Sequence, residues 1–338
     1  MPNLSSVQPV IYLSESDVRR VLDMPIALRE ARRAFGSLGR RVAVDTPRMR
    51  TRQPGGHLHV LQAAAPELGL IGFKAYYNRA GAGGTSLIQL MDLQSGALLA
   101  LVESDWLGRV RTGAATGVAV QALAVAADSP CTVGMFGYGR QASMQLEAVC
   151  AARPVRRARV FGRDCQALAH FCRTLSARLD VDVEPAARRE DAVNDCEVVI
   201  AITRADVPVF DGAWLAPGQL VVAAGGNALD RREIDLATVR RANLIVVDSR
   251  EVAEHECGDL LPAVEAGDLR WRDLAELGEV LAGKHRGRDN PGDIVLFESQ
   301  GLGILDIYAA AHVLRQAREN GFGTVLPMAQ VPRSGALD

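Results

Sequence analysis

The sequence predicts an α/β protein: a doubly wound parallel sheet joined to a smaller α+β domain. Three observations carry this. After Cys131, apolar runs alternate with helical patterns, the rhythm of βαβ units. Before residue 125, short β-like runs are separated by turn signals, as in an antiparallel sheet. Between an apolar run and a helical pattern lies Gly137-Tyr-Gly-Arg-Gln-Ala142, a glycine-rich turn at the head of a helix.

Along the chain, Ser14 reads as an N-cap for a helix over 17–38. Strands follow at 57–63, 71–77, 85–92 and 97–103, with Gln94-Ser-Gly96 marking a turn. Ser104-Asp105 then caps a long helix, rich in Gly and Ala, that runs through Ala126. The second half gives strands at 131–136, 158–161, 181–184, 197–203, 219–224 and 244–248, with helical segments such as 165–179 and 190–194 between them. A continuous apolar strand such as Val198-Val-Ile-Ala-Ile202 is expected where both sheet faces are covered. The tail over 302–320 is helical and returns to the first domain, while the basic stretch 283–292 reads as a solvated loop. The domain plan is therefore 1–125 with 306–338 for substrate binding and dimerisation, and 126–305 for a dinucleotide.

Composition narrows the function. A chain of 338 residues that is 48% hydrophobic has ample core, and 38 basic against 40 acidic residues suggest neither a nucleic-acid surface nor a polybasic membrane anchor. No apolar run approaches a membrane span, and the first residues lack a leader pattern. The six cysteines are scattered without CxxC or metal spacing, which points to reduced thiols in a cytoplasm. His57 and His59 alternate on one strand, but no third ligand of matching spacing lies nearby, so no metal is expected. His255, in Glu254-His-Glu-Cys257, reads as part of a surface stretch.

The glycine-rich turn carries the cofactor reading. The first N–H groups of a helix have no partner and attract a phosphate. Gly137 permits the turn, Gly139 lets a pyrophosphate approach, and Ala142 lets helix and strand pack closely; Arg140 and Gln141 complete the candidate contacts in this Rossmann-like motif. At the end of the next strand an acidic residue would hold the ribose 2′-OH of NAD. Here Gly162 occupies that place and Arg163 follows, which favours the 2′-phosphate of NADP. Asp164 keeps NAD open, and Arg163 also reads as a plain surface residue.

The run Glu103-Ser-Asp-Trp-Leu-Gly-Arg-Val-Arg-Thr-Gly-Ala-Ala-Thr-Gly117 resembles the ornithine cyclodeaminase/mu-crystallin family. The likeness continues through Gly137–Gln141, Ala201-Ile-Thr-Arg204, Arg231-Arg-Glu-Ile-Asp235 and residues 294–303, in family order. The resemblance implies a nicotinamide-binding domain joined to a substrate domain that builds a homodimer. Its members include cyclodeaminases, amino-acid dehydrogenases, ketimine reductases and crystallin-like proteins that bind cofactor. It implies that Arg48 holds a substrate carboxylate, that Lys74 in Gly72-Phe-Lys74 exchanges a proton, and that Arg111 is a second carboxylate or cofactor contact. It adds Thr85, Thr112, Thr203, Gly225, Gly226, Asn227, Arg231 and Ser299 as cofactor contacts.

Two departures from the cyclodeaminases stand out. Asn227 replaces their catalytic aspartate, and an amide cannot act as a general base. It can still hydrogen-bond a ligand amine or the nicotinamide carboxamide. His59 stands where they have an acidic residue suited to a basic substrate. The expected function is an NAD(P)-dependent oxidoreductase acting on the C–N bond of a small amino or imino acid, with Lys74, Arg48, His59 and Asn227 at the reacting centre. The alternatives are an ornithine cyclodeaminase and a crystallin-like protein that binds NADP and a small ligand without turnover.

Overall fold

Among the described residues two eight-stranded sheets, one early in the chain and one late, carry the fold. The computed structural model describes residues 9–79, 84–125 and 129–328. The expected helix end at Ala126 and the tail beyond 328 lie outside these residues.

The first sheet begins with β1 (Val10–Leu13), followed by α1 (Glu15–Val21) and α2 (Met24–Gly39). The sequence predicts one helix over 17–38, and the chain makes two. Pro25 inside a continuous helix would clash with the carbonyl one turn back. The helix instead restarts at Asp23, whose carboxylate accepts from Ile26 N at 2.9 Å, with Pro25 in the first turn where no N–H is needed. Asp23→Ala should lower the unfolding free energy by about 1 kcal/mol, read as a lower urea midpoint at unchanged slope.

Next come β2 (Val44–Asp45), β3 (Met49–Gln53), β4 (Gly56–Ala65), β5 (Leu70–Arg79), β6 (Ser86–Asp92) and β7 (Leu98–Glu103). β3 to β7 pair antiparallel in sequence order, β2 pairs antiparallel with β4, and β1 joins β7 in parallel. α3 (Asp105–Leu123) then packs against α2. Its start differs from expectation. The Ser104 hydroxyl turns to Ser86 Oγ at 2.8 Å, and the Glu15 carboxylate accepts from Asp105 N at 2.5 Å and Trp106 N at 3.0 Å. A carboxylate suits a helix N-terminus better than a hydroxyl because it also meets the dipole.

The second sheet is laid down as β8 (Cys131–Phe136), α4 (Ala142–Ala152), β9 (Val155–Phe161), α5 (Cys165–Leu179), β10 (Asp182–Pro185), β11 (Val198–Ala201) and β12 (Leu220–Ala223). It continues with α6 (Leu236–Arg241), β13 (Leu244–Val247), α7 (Arg250–Glu256), α8 (Leu261–Glu265), β14 (Ala275–Glu276), α9 (Leu277–Leu281) and β15 (Val295–Glu298). Every strand pair in it is parallel, in the order β10-β9-β8-β11-β12-β15-β13-β14. The order reverses between β8 and β11, so a ligand crevice belongs at their carboxyl ends. β15, unpredicted as a strand, fills the centre between β12 and β13.

From β15 the chain crosses back. α10 (Gly303–Asn320) packs on α2, β4 and β5, and β16 (Thr324–Leu326) pairs antiparallel with β1. The return is tied at its start, where Ile304 N donates to Asp45 Oδ1 at 2.6 Å. α10 buries Ile304, Leu305, Ile307 and Tyr308 under the first sheet and brings Asp306 with them.

Candidate active site

At the switch point, Gly137 ends β8 with φ +105°, a conformation glycine takes without strain, and a Cβ there would strike Ile202 O. A Cβ on Gly139 would meet nothing within 4 Å, so the turn is open where a pyrophosphate would lie. These residues fit a dinucleotide. Gln141 ends the turn before α4, and Arg140 is exposed and paired with Asp105. At the end of β9 the Tyr138 ring covers Gly162, Arg163 is exposed, and Asp164 caps α5 through Gln166 N and Ala167 N at 3.0 Å each. Thr203, Gly225 and Gly226 follow the ends of β11 and β12, and Ser299 follows β15. Ser299 Oγ donates to Asp248 Oδ2 at 3.2 Å. Thr112 Oγ1 donates within α3 to Gly108 O, Arg231 reaches Arg204 O at 2.8 Å on the surface, and Thr85 is exposed just before β6.

One buried carboxylate joins two of these loops. Glu233 accepts from Thr203 Oγ1 and Gly225 N at 2.6 Å each, while Asp259 Oδ1 holds Glu233 N at 2.6 Å. Burial pushes its proton affinity up to about 7 against the hydrogen bonds from Thr203. The folded chain then binds this proton more tightly than the unfolded chain. The group's stabilisation is therefore greatest below the unfolded value near 4.5 and is lost as pH rises toward 7. Glu233→Gln should reduce the fall in unfolding free energy over that window by at most about 1.4 kcal/mol per pH unit, one proton's worth, measured by urea unfolding at a series of pH values.

Across the crevice, the pleat of the first sheet gathers cations. Lys74 pairs across β4–β5 with Leu61, Tyr76 with His59, and Arg50 of β3 with the same His59. Opposed residues share a face, so Lys74, Tyr76, His59 and Arg50 look the same way. Arg48, just before β3, and Arg111, on α3, reach the same space from either side of Gly301. A Cβ on Gly301 would lie 2.9 Å from Arg111 Nη1 and 3.6 Å from Arg48 Nη2. Gly301 has φ +86° and its N–H is held by Asp248 Oδ2 at 2.8 Å, so it leaves room between the guanidiniums.

Lys74 Nζ lies 2.9 Å and 2.8 Å from the two Asp306 oxygens, and Arg111 Nε donates to Asp306 Oδ1 at 2.8 Å. All three side chains are buried. Burial, then the charge of Arg111, brings Lys74 down to about 7, against the pull of Asp306. Arg48 Nη2 donates to Gln300 O at 2.8 Å, whereas its Nε and Nη1 are buried with no hydrogen-bond partner among the described residues. His59 Nδ1 is buried without a partner as well. Burial and the charges of Arg48 and Arg50 push His59 down to about 4, so its ring is neutral at physiological pH, stacked on Tyr76 at 4.7 Å between centroids. Unmatched donors beside a buried guanidinium are what a bound carboxylate would satisfy.

The stretch read as surface divides by face. Glu254 and His255 are exposed, but Glu256 is buried and binds Arg48 N at 3.1 Å and Arg50 Nη2 at 3.0 Å. Adjacent residues on a helix point about 100° apart, so one side of α7 is wet while the other closes the site. Arg50 also donates to Asn227 O, which ties β3 to the loop after β12. Sequence reasoning missed Asp306, Glu256 and Arg50. It also passed over a compositional signal: the chain holds only two lysines, Lys74 and Lys284, among its 38 basic residues. Where arginine serves almost everywhere, a buried lysine marks a position that needs a group able to release a proton.

Among the described residues no cluster of His, Cys, Asp and Glu is placed to hold a metal ion, and no helix is long and apolar enough to cross a membrane. All six cysteines are free.

Comparison with known proteins places this geometry among relatives. The model of the ornithine cyclodeaminase/mu-crystallin family matches residues 12–321. An uncharacterised cyclodeaminase of Sinorhizobium fredii is 32% identical over 326 residues, 93% of this chain and 97% of that protein. The structure of Thermococcus litoralis Δ1-pyrroline-2-carboxylate reductase in complex with NADH and L-proline superposes with a TM-score of 0.87 at 30% identity, covering 94% of this chain and 100% of the other. An archaeal alanine dehydrogenase dimer with bound NAD gives a TM-score of 0.88 at 26% identity, covering 95% and 100%.

Proposed function

The chain belongs to the ornithine cyclodeaminase/mu-crystallin family, and on that premise we propose that it is a nicotinamide-dependent oxidoreductase of the imino-acid reductase or amino-acid dehydrogenase type. The supporting observation is Lys74, a buried amine with a proton affinity near 7, held by Asp306, which also binds Arg111, one of the two arginines beside Gly301. The substrate α-carboxylate takes the unmatched donors of Arg48 and the Nη groups of Arg111, which fixes the carbon that changes oxidation state. Lys74 gives a proton to the substrate nitrogen in reduction and takes it back in oxidation. His59, neutral, offers its ring to the substrate without adding charge.

The crevice beside Gly137, Gly139, Arg140 and Gln141 would hold the pyrophosphate, and Thr203, Gly225, Gly226, Asn227 and Ser299 line the way to the nicotinamide. Bound there, the ring supplies or accepts the hydride. NADP is the proposed cofactor. Gly162 offers no carboxylate to a ribose 2′-OH, Asp164 is committed to α5, and Arg163 is free to meet a 2′-phosphate. Thr85, Thr112 and Arg231 serve as outer contacts to the cofactor. In this reading residues 1–125 with 306–338 bind substrate, residues 126–305 bind the dinucleotide, and the setting is cytoplasmic. Asn227 weighs against the cyclodeaminase reaction, because its amide takes no proton.

A homodimer completes the reading. Val44 and Met49 lie exposed with Leu58 and Ile71 on the first sheet, and the strand registers put Met49, Leu58 and Ile71 on the face opposite Lys74. A stripe of this kind suits a second copy.

The test follows NADPH and NADH absorbance with pyrroline-2-carboxylate and with pyruvate plus ammonia or methylamine. Parallel reactions hold ornithine with NAD⁺ and are scored for proline and ammonia. Cofactor oxidation with an imino acid supports the proposal. Proline without net cofactor change replaces it with the cyclodeaminase, and cofactor binding without turnover supports the binding protein.

A further inference from the structure

Asp306 is absent from every motif that marked this chain, yet it is the charge around which the site is assembled. It sits in the first turn of α10, fully buried, with one oxygen shared between Lys74 Nζ and Arg111 Nε and the other 2.8 Å from Lys74 Nζ. Its two partners come from different elements, β5 and α3, and its carboxylate reaches both. We propose that Asp306 is a positioning residue: its carboxylate holds the Lys74 amine and the Arg111 guanidinium in one arrangement and governs when Lys74 releases its proton.

The geometry divides the work. Arg111 spends Nε on Asp306, so its Nη groups are directed to Gly301 and stay available for a substrate carboxylate. Lys74 faces Asp306 on α10, Arg111 on α3, Arg48 before β3, and Tyr76 and His59 on the sheet. Asp306 is the one charge among these that favours the ammonium, and the Tyr76 ring face, 5.7 Å from Nζ to its centroid, adds to it weakly. Arg111 and Arg48 oppose it, and His59 is neutral. Without the carboxylate, two cations would press on a desolvated amine and it would lose its proton far too early to donate one at neutral pH. The two charges thus act on Lys74 with opposite sign. The catalytic consequence rests on the oxidoreductase reading, but the effect on Lys74 does not.

The two-lysine composition makes this measurable without any substrate. In full-length protein labelled with ¹³Cε-lysine, NMR shows two resonances, and Lys284→Arg assigns them. The Lys74 midpoint in Asp306→Asn should move down by about one pH unit or more, a tenfold change in proton affinity. Arg111→Met, which removes the opposing charge, should move it up. Asp306→Glu should restore most of the wild-type midpoint. In turnover, Asp306→Asn should carry the same displacement into the pH profile of kcat/KM and raise KM for the carboxylate substrate through Arg111. Unmoved midpoints in Asp306→Asn and Arg111→Met, or shifts of the same sign, would overturn the proposal whatever the activity. Should Asp306→Asn not fold, the Arg111→Met and Asp306→Glu titrations decide it: an upward shift with rescue supports it, and no shift in either sinks it. Opposite shifts in a protein that turns over no imino acid would leave the placement of Lys74 standing and remove the reductase reading.

Discussion

Lys74→Ala is expected to fold with reduced stability, since buried Asp306 keeps only Arg111, and to bind cofactor while turnover falls by about a hundred- to ten-thousandfold, the usual weight of a proton-transfer group. Lys74→Arg should be nearly as inactive. Arginine keeps the positive charge beside Asp306 but holds its proton at every accessible pH. The pair separates a lysine needed for its charge from one needed for its exchangeable proton. The sign with pH follows from the same position. With a proton affinity near 7, the amine is mostly neutral above that pH and mostly charged below it. Amino-acid oxidation, which needs the neutral base, should rise as pH climbs through about 7, and imine reduction should fall over the same range. Steady-state rates in both directions, with cofactor affinity followed by fluorescence, check all of this. Full activity in Lys74→Arg would remove Lys74 from the proton pathway.

Arg48→Ala should lower kcat/KM for an imino or amino acid by about a thousandfold, mostly as a higher KM, because truncating one partner of a buried charge pair costs roughly 2–5 kcal/mol. The loss has two sources. Substrate loses the donors that no protein group now satisfies, and Glu256 is left with Arg50 and the backbone N–H of residue 48. The second loss should also lower the unfolding free energy by a few kcal/mol, since Glu256 is completely buried. Arg48→Lys should recover stability better than affinity, as an ammonium supplies charge without the fork. An unchanged KM in Arg48→Ala would place the substrate carboxylate elsewhere.

How much of this was legible in the sequence depends on where the information sits. The six residues Cys131–Phe136 read correctly because both sheet faces bury them, and an unbroken apolar run needs no partner to be recognised. The helix Cys165–Leu179 read correctly because it carries its own boundaries, a capping Asp164 and a left-handed Asp180. The break at Asp23 was also written locally, in Pro25, and was overlooked. β3 was not legible, since Met49-Arg-Thr-Arg-Gln looks polar and owes its strand to pairing with β4. Arg48 and Lys74 were found through family motifs. Their partners were not, because the direction of Asp306 and Glu256 is set by how α10 and α7 dock. One acidic residue in Gly303-Ile-Leu-Asp-Ile-Tyr has no meaning until the facing cations are known.

The return of the chain through α10 also dictates the order in which the protein can become whole. Lys74 and its counter-ion are 232 residues apart, and β1 gains its outer neighbour only when β16 arrives. During synthesis the early sheet therefore waits with an open edge, an uncovered apolar face and a buried-type lysine that has no acid to meet. Such distant closures are slow to form and leave intermediates that favour association. A ribosome that stalls before Gly303 would hold a first sheet without β16 or its α10 cover beside a nearly complete second one. Quality control acting on this protein would meet that early half, not the dinucleotide crevice, as the unfinished part.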